Sequence, residues 1–323
     1  KSYAFERPEV RCRALDLHPD IVLEAPRAAA LVLGDILALG GEVEVGLDRD
    51  ERRWAMVAFA EDLVSEATPL TGDDVWLVSG GGSGVTAASI LGVAKASQQA
   101  GAHFHLLGRS TLIESTSDWL DWTDEQLAEE KNNLRERLVD AKHDGKVTMV
   151  EWNRAWQAFT RSLDVYRTMA SIEKTGNHAT YHAADVMDSD RLSAIASELG
   201  RPITGVVHGA GLEDSKLVKD KGHDVFDRVV RVKVDGWRSL MKAVNASGVE
   251  HPTFACCFTS VAGRFGNGGQ TDYAAANSIL DAEMARLTAG GHSRAVAIGW
   301  TGWRDVGMAT RGSIEAVFAA AGI

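Results

Sequence analysis

The sequence predicts an α/β protein with a doubly wound parallel sheet. From about residue 75 onward, short apolar runs alternate with stretches of helical spacing, which is the pattern of a parallel sheet covered by helices. The first run, VWLV, is apolar throughout, as expected of a strand buried on both faces, and a glycine-rich turn follows it directly. The later strand-like runs are HFHLLG, TYHAADV, GVVHGAG, TFACCFTS and SRAVAIGW.

Composition excludes several classes of protein. The 323 residues are 45% hydrophobic and 24% charged, which is ordinary for a globular chain. The net charge of −11 disfavours a nucleic-acid partner, and no apolar run approaches the roughly 18 residues of a membrane span. The start, KSYAFERPEV, lacks the pattern of a signal peptide, and the cysteines, Cys12, Cys256 and Cys257, offer neither a disulfide framework nor metal spacing. We therefore expect a cytoplasmic protein without a metal.

Residues 1–70 precede this pattern and form a different region. Short β-rich stretches surround the helix-like PRAAALVLGDILALG, and the turn residues of TPLTGDD mark a boundary. We expect a small N-terminal subdomain over 1–70 and a nucleotide-binding subdomain over 71–323. The lysine at position 1 and the unfinished apolar pattern at the end suggest a piece of a longer protein.

A helical insertion is predicted over about 112–176, because far more residues separate HFHLLGR from TYHAADV than a crossover needs. It is rich in helix formers and charges, and Thr123 precedes an acidic first turn as an N-cap. We expect these helices to pack at the sheet edge, with a structural role or a role in forming an oligomer.

The glycine-rich turn VSGGGSGVTAAS predicts a dinucleotide site of the Rossmann-like kind. Its glycines would let backbone amides approach a pyrophosphate at the N-terminus of the next helix, although a simple tight turn is the alternative. Thr86 replaces the last glycine of the usual pattern, so the helix should stand slightly further from the strand. The predicted cofactor-binding residues here are Ser79, Gly80, Gly81, Gly82, Ser83, Gly84 and Val85.

Residues after the next two strands bear on which dinucleotide binds. Arg109 stands where an acidic residue would grip the ribose of NAD, which favours the 2′-phosphate of NADPH over a merely solvated arginine. Asp185 and Val186 follow the next strand, where Asp185 is either an acceptor for the adenine amino group or an ordinary strand-end aspartate.

The segment FTSVAGRFGNGGQTDYAAANSILDAE places Ser260 at a strand end and Tyr273 thirteen residues later at a helix entry. This spacing, followed by AAAN and accompanied by VSGGGSGVT, LLGRS, ADV, HGAG and IGWTGW in the same order, resembles the ketoreductase domains of type I polyketide and polyunsaturated fatty acid synthases. Those domains belong to the short-chain dehydrogenase/reductase superfamily. The resemblance covers residues 75 to about 310, and residues 1–70 resemble a remnant of the structural subdomain that precedes such domains.

The resemblance implies a catalytic tetrad of Lys233, Ser260, Tyr273 and Asn277, with the lysine supplied by an earlier helix. Asn277 stands where classical members of the superfamily have lysine. A nearby Lys233 ammonium would lower the pKa of the Tyr273 phenol, which then donates a proton to a ketone, while Ser260 holds the ketone oxygen. Asn277 would position Lys233 or a water.

The resemblance also implies the ligands. NADPH would contact Gly209, Ala210 and Gly211 of HGAG as well as Lys233 and Tyr273, and the substrate would be a β-ketoacyl thioester on the phosphopantetheine arm of an acyl carrier protein. Neighbouring synthase domains are implied as further partners. Carrier proteins are usually acidic, so docking would need local basic residues; otherwise these side chains are solvated surface groups. The candidates are Lys216, Lys219, Lys221, Arg228 and Arg231.

Substrate contacts are expected after HGAG, after Ser260 and in a lid that follows the last strand. Glu213-Asp214-Ser215 keeps one aspartate of the family's Leu-Asp-Asp signature, and Phe265 takes the place of the alternative tryptophan. These residues favour the family's usual D-configured hydroxyl. The predicted substrate contacts are Asp214, Phe265, Trp300 and Met308.

Two other functions remain open at this point. An inactive nucleotide-binding domain of a synthase would be expected to lose Tyr273, Lys233 or the glycine turn. A dehydrogenase acting on a free small-molecule carbonyl should have lysine four residues after the tyrosine.

Overall fold

A computed structural model describes residues 1–38, 41–62, 69–114, 117–141 and 146–303. The chain divides into two compact units. The first unit comprises Lys1–Ala67, Ser215–Lys221 and Phe265–Thr271, and the second comprises Thr68–Asp214, Gly222–Arg264 and Asp272–Ile323. The predicted division at residue 70 did not foresee that two later segments fall within the first unit.

The first unit contains a small mixed sheet. Its elements are α1 (Ser2–Glu6), β1 (Ala14–Leu17), α2 (Pro19–Val22), α3 (Ala25–Leu37), β2 (Glu44–Leu47) and β3 (Arg53–Trp54). β2 pairs in parallel with β1 and antiparallel with β3. The carboxylate of Glu6, at the end of α1, binds the two later segments of this unit. It accepts hydrogen bonds from the backbone N–H groups of Val218 (2.7 Å) and Gly269 (3.0 Å).

The second unit contains the predicted parallel sheet. Its strands are β4 (Val75–Ser79), β5 (His103–Gly108), β6 (His178–Ala183), β7 (Gly205–His208), β8 (Phe254–Ser260) and β9 (Arg294–Trp300). Within the described residues they lie in the order β6-β5-β4-β7-β8-β9, and all pairs are parallel. The order reverses between β4 and β7, which makes that crevice the topological switch point of a doubly wound sheet. The predicted fold class is confirmed.

Helices cover both faces of this sheet. They are α4 (Gly84–Ala96), α5 (Asp124–Asp140), α6 (Met149–Glu173), α7 (Ser189–Glu198), α8 (His223–Ala246), α9 (Val261–Phe265) and α10 (Thr271–Ala289). Val75 and Leu77 of β4 point to the core shared with α7, α8 and α10, whereas Trp76 and Val78 point to the core shared with α4 and α6. Burial on both faces explains why VWLV is apolar without interruption. No described helix is long and apolar enough to cross a membrane.

The insertion has two helices, and the first begins at the predicted cap. Thr123 caps α5 and forms a capping box with Gln126, and Thr148 forms another with Glu151 at the start of α6. The C-terminal end of α6 is part of the sheet's own helical layer, because Ile172 is fully buried in the core shared with α4. The inserted portion is therefore α5 and the beginning of α6.

Candidate active site

The candidate site lies at the carboxyl edge of the sheet, where β4 and β7 end side by side. The turn after β4 is held by a hydrogen bond from the Gly80 N–H to the Leu107 carbonyl (2.9 Å), and the turn after β7 by one from the Gly209 N–H to the Ser79 carbonyl (3.0 Å). Gly80 has φ = 71°, and a Cβ there would lie 3.0 Å from the backbone nitrogen of Ala210. The close approach of the two turns thus requires glycine at position 80.

The turn after β4 fits a pyrophosphate. Ser83 is exposed at the N-cap of α4, and Gly84 follows with φ = 67° and open space where a Cβ would stand. The start of α4 therefore has free space beside Gly84, which leaves room for an anion near the helix N-terminus. Gly81 and Gly82 are buried, and Gly82 lies against α6, where a Cβ would come within 2.7 Å of Val165 Cγ2.

Thr86 packs at the contact between α4 and the end of β7, and the expected wider spacing of the helix stays a prediction. Its side chain is only 5% exposed, and a Cβ at Gly209 would lie 2.1 Å from Thr86 Oγ1. Gly209, at the end of the neighbouring strand, therefore supplies the space that a glycine at position 86 would normally provide.

Residues expected at the adenosine end lie at the same edge of the sheet. Arg109 follows β5 directly and is exposed. Asp185 follows β6, and its Oδ1 accepts a hydrogen bond from the Met187 N–H (2.9 Å), which leaves Oδ2 for a ligand. Val186 is buried, and a Cβ on Gly236 of α8 would lie 3.0 Å from its Cγ1. The exposed Arg109, on the strand next to the glycine turn after β4, fits a dinucleotide that carries a 2′-phosphate.

The four residues implied as catalytic come from three neighbouring elements. Ser260 is the last residue of β8, Tyr273 and Asn277 lie one turn apart on α10, and Lys233 lies on α8. All three helical residues are buried: Tyr273 is 9% exposed, Lys233 3% and Asn277 0%. Both Lys233 and Asn277 lie close to Tyr273. Their catalytic roles stay predictions.

Lys233 is held by the carbonyl end of β8. Its Nζ donates a hydrogen bond to the Phe258 carbonyl (2.8 Å) and lies 5.8 Å from the centre of the Tyr273 ring. Burial lowers the pKa of Lys233 to about 8, and Cys257 and Asp281 partly offset that effect. The amine is therefore mainly protonated at pH 7. Gly211 gives it room, since a Cβ there would lie 3.1 Å from Lys233 Cε.

The pKa of Tyr273 differs from the sequence-based expectation. Burial raises it, and the charge of Glu213 adds to the increase. Asn277 and Ser260 oppose the increase, because both side chains can donate a hydrogen bond to the phenolate. In this structure the Lys233 ammonium donates to the Phe258 carbonyl, and its lowering of the Tyr273 pKa stays a prediction.

Asn277 has one amide atom free for a further contact. Its Nδ2 donates to the Tyr273 carbonyl (2.7 Å), whereas its Oδ1 is buried without a hydrogen-bond partner among the described residues. A buried acceptor of this kind normally finds a donor such as water. This fits the expectation that Asn277 positions a water, although the role itself stays a prediction.

A buried series of hydrogen bonds, which the sequence pattern did not predict, links these elements. Ser79 Oγ and His208 Nδ1 are 2.6 Å apart, and His208 Nε2 is 2.9 Å from the Lys233 carbonyl. The Ala210 N–H also donates to Ser79 Oγ (3.3 Å). Burial lowers the pKa of His208 to about 3, so the ring is neutral, with Nε2–H donating to Lys233 and Nδ1 accepting from Ser79. The available signal was a histidine ending the otherwise apolar run GVVH.

The predicted substrate contacts that the structure describes lie on three separate segments of the chain. Asp214 is half-buried in the loop after β7, and Phe265 ends α9 with 57% of its surface exposed. Trp300 ends β9 and packs edge-on against Phe258, in the core shared with α4 and α6. Met308 and most of the predicted lid lie outside the described residues.

Similar proteins identify the family. The family model of the KR domain matches residues 75–305. A polyunsaturated fatty acid synthase polypeptide of Thraustochytrium sp. is 30% identical over 244 residues, or 74% of this chain and 8% of that protein. Mellein synthase of Phaeosphaeria nodorum is 32% identical over 164 residues, or 50% of this chain and 9% of the synthase. The chain thus spans a small part of the curated relatives it matches.

Solved structures share the fold. An A-type ketoreductase from a modular polyketide synthase aligns with a TM-score of 0.70 and 24% identity, covering 98% of this chain and 56% of that one. A ketoreductase domain from the bacillaene assembly line aligns with a TM-score of 0.67 and 19% identity, covering 99% of this chain and 64% of that one.

The sheet order, the glycine turn and the Ser-Tyr spacing together define an oxidoreductase fold of the short-chain dehydrogenase/reductase type, which binds nicotinamide cofactors. Within that class, the match over most of its length shows that the chain belongs to the KR, or ketoreductase, domain family.

Proposed function

We propose that this domain uses NADPH to reduce a β-ketoacyl thioester, carried by an acyl carrier protein, to the β-hydroxyacyl thioester. The observation that carries the proposal is the placement of Tyr273 and Asn277 on α10, with Lys233 5.8 Å from the tyrosine ring and Ser260 at the adjacent strand end. The open glycine turn and the exposed Arg109 support NADPH as the cofactor.

The chain's own residues divide the work of ketone reduction. The cofactor, when bound, supplies the hydride. Ser260 donates a hydrogen bond to the ketone oxygen and Tyr273 gives it a proton, so that negative charge on that oxygen is neutralised as it develops. The Lys233 ammonium, which donates to the Phe258 carbonyl in this structure, would turn to the resulting phenolate and stabilise it. Asn277 holds a water at its buried Oδ1, from which the phenol regains its proton.

Residues of four loops and two helices would hold the cofactor. Ser79, Gly80, Gly81, Gly82, Ser83, Gly84 and Val85 would surround the pyrophosphate, and Arg109, Asp185 and Val186 the adenosine end. Gly209, Ala210 and Gly211, with Lys233 and Tyr273, would face the nicotinamide end. Asp214, Phe265, Trp300 and Met308 remain proposed substrate contacts, and the D-configured hydroxyl remains the proposed product.

Partners and location are part of the same proposal. The relatives are multidomain synthases, which supports neighbouring synthase domains and a carrier protein as partners. The described cysteines are all unpaired, and Cys256 and Cys257 are buried, which supports a reducing, cytoplasmic compartment. Oligomer formation through the insertion is also retained as a proposal.

The test is NADPH oxidation with a short β-ketoacyl thioester, compared between the wild-type protein and Tyr273→Phe. We expect the variant to lose turnover by about 10²–10⁴-fold, because it cannot donate the proton, while its NADPH affinity stays within about twofold. Tyr3→Phe, which removes the phenol of an exposed tyrosine in α1 instead, is the matched control and should retain turnover. Equal turnover in the wild type and Tyr273→Phe would refute the proposed mechanism.

The same assay distinguishes the two other functions. NADPH binding without oxidation would indicate a nucleotide-binding structural domain. Rapid oxidation with a free small ketone but not with the thioester would indicate a dehydrogenase of free metabolites.

A further inference from the structure

The backbone that follows β5 is held by side chains from two neighbouring elements. The Tyr181 hydroxyl of β6 donates a hydrogen bond to the Ser110 carbonyl (2.8 Å), and a Cβ at Gly108 would lie 2.6 Å from the same hydroxyl. Arg109 is therefore the residue between two positions that Tyr181 contacts. Its side chain is exposed, while the backbone on either side of it is fixed.

Helix α6 holds the same segment three residues further on. Ser162 Oγ accepts a hydrogen bond from the Ile113 N–H (3.0 Å), and the Tyr166 hydroxyl donates one to the Ile113 carbonyl (3.1 Å). Ser162 and Tyr166 are one helical turn apart, so both polar backbone groups of Ile113 are bound by one face of α6. Ser162 is fully buried and also donates to the Ala158 carbonyl (3.0 Å), which fixes its hydroxyl for this contact. We refer to these contacts of Ser162 and Tyr166 with Ile113 as the α6 clasp.

The same helix also contacts the phosphate turn. Thr168 Oγ1 donates to the Gly82 carbonyl (3.1 Å), and Val165 packs against the Cα side of Gly82. One rigid helix thus binds both the turn suited to a pyrophosphate and the segment that carries Arg109. The distance between those two anion-binding groups is thereby set by α6.

We propose that the α6 clasp determines cofactor choice by holding Arg109 where the 2′-phosphate monoester of a dinucleotide binds. Ser162 and Tyr166 are positioning residues, since neither would touch the nucleotide. Because the backbone is already fixed, Arg109 loses less conformational entropy when it binds the phosphate. The resulting increase in affinity applies only to a nucleotide that carries the 2′-phosphate. The inference rests on the proposed use of NADPH and adds the residues that set the preference.

The test measures binding rather than turnover. The dissociation constants of NADPH and NADH are determined by nicotinamide fluorescence for the wild type, Tyr166→Phe and Ser162→Ala. We expect each variant to lose about three- to tenfold in NADPH affinity, the effect of about one hydrogen bond, with NADH affinity within about twofold. The matched control is Thr160→Ala on the same helix, because the Thr160 hydroxyl bonds the carbonyl of Trp156 within its own helix (3.1 Å). It should keep the wild-type ratio of the two constants.

The outcomes separate this inference from the proposed function. If the wild type binds NADH as tightly as NADPH, the proposed cofactor is wrong and the inference fails with it. If the wild type prefers NADPH and Tyr166→Phe keeps the full preference, the inference alone is overturned. A parallel loss for both nucleotides also overturns it, since that result would indicate general loosening of the fold. Tyr166→Phe is nearly isosteric, so it remains informative even if Ser162→Ala does not fold.

Discussion

Gly209, in the turn after β7, and Thr86, in α4, are in contact and complementary in size. The absence of a side chain at position 209 accommodates a threonine at a helix position where the dinucleotide fingerprint usually has glycine. Either residue alone looks unremarkable in the sequence. Their joint effect is that the Thr86 side chain packs directly against the backbone of Gly209.

This complementarity predicts the outcome of a substitution at Gly209. Gly209→Ala would place a Cβ 2.1 Å from Thr86 Oγ1 and should destabilise the fold by about 1–3 kcal/mol, measured by urea denaturation. Adding Thr86→Gly should recover part of that loss. Gly92→Ala is the control on α4, because open space surrounds its Cβ position, and it should be neutral or stabilising by up to about 1 kcal/mol. Additive effects of Gly209→Ala and Thr86→Gly would contradict the account.

At the level of elements, β5 and β6 carry four histidines on one face. His103 stacks on His178 with ring centres 4.6 Å apart, and His105 Nδ1 lies 3.0 Å from His182 Nε2. The charged groups that act on these pairs are Arg191 and Glu198 of α7 and Arg201 beyond it. Burial lowers the pKa of His105 to about 4 and also lowers those of His103 and His182.

These pairs predict a loss of stability in mild acid. Histidines of the unfolded chain take up protons near pH 6.5, whereas His105 in the fold does so near pH 4, so stability falls as the pH drops through that window. His105→Thr should remove about 1–2 kcal/mol of the loss, after allowance for solvent screening, when unfolding is measured at pH 7 and 4.5. Thr180→Ala keeps all four histidines and should keep the wild-type slope. An unchanged slope in His105→Thr would contradict this assignment.

The sequence pattern predicted the elements of the second unit better than those of the first. Strands buried on both faces leave nearly uninterrupted apolar runs, so β4, β7 and β8 were foreseen closely. RRWAMVAFA in the first unit is also rich in apolar residues, yet within this described stretch only Arg53–Trp54 pairs as a strand. The side chains of Met56, Val57 and Phe59 are 64%, 77% and 76% exposed. Strand formation depends on a partner as well as on propensity, and a single sequence does not specify the partner.

The candidate site shows the same limit. Ser260, Tyr273 and Asn277 lie close together in the chain, so their spacing revealed them, and the lysine followed from family resemblance. The contacts of His208, Thr86 and the α6 clasp join residues far apart in sequence. Such contacts depend on three-dimensional packing, which the sequence pattern does not contain.

At the scale of the whole molecule, the net charge of −11 bears on how an acidic carrier protein would be recognised. Overall repulsion means that association must depend on local positive charge, and such attraction is weakened by salt. Lys219 is exposed in the short 3₁₀ helix Val218–Asp220 and is one of the predicted docking residues.

Charge reversal tests this docking surface. Lys219→Glu should raise KM for a carrier-linked substrate by about three- to tenfold at low salt, with kcat unchanged and little effect on a carrier-free thioester. Lys95 is not among the predicted docking residues, so Lys95→Glu, which makes the same charge change in the last turn of α4, serves as the control. Equal KM values for Lys219→Glu and Lys95→Glu would exclude Lys219 from docking.

The buried chain from Ser79 through His208 to the Lys233 backbone has a consequence for the order in which the domain assembles. Ser79 and His208 are 129 residues apart in the sequence. They meet only when β7 pairs with β4, after β5 and β6 have been formed by the chain between them. Closing a loop of that length is slow compared with forming local structure. The Lys233 backbone is therefore among the last parts of the molecule to be fixed, so a nascent chain that has completed only β4, β5 and β6 has the turn proposed to bind phosphate but lacks the residues proposed to deliver the proton.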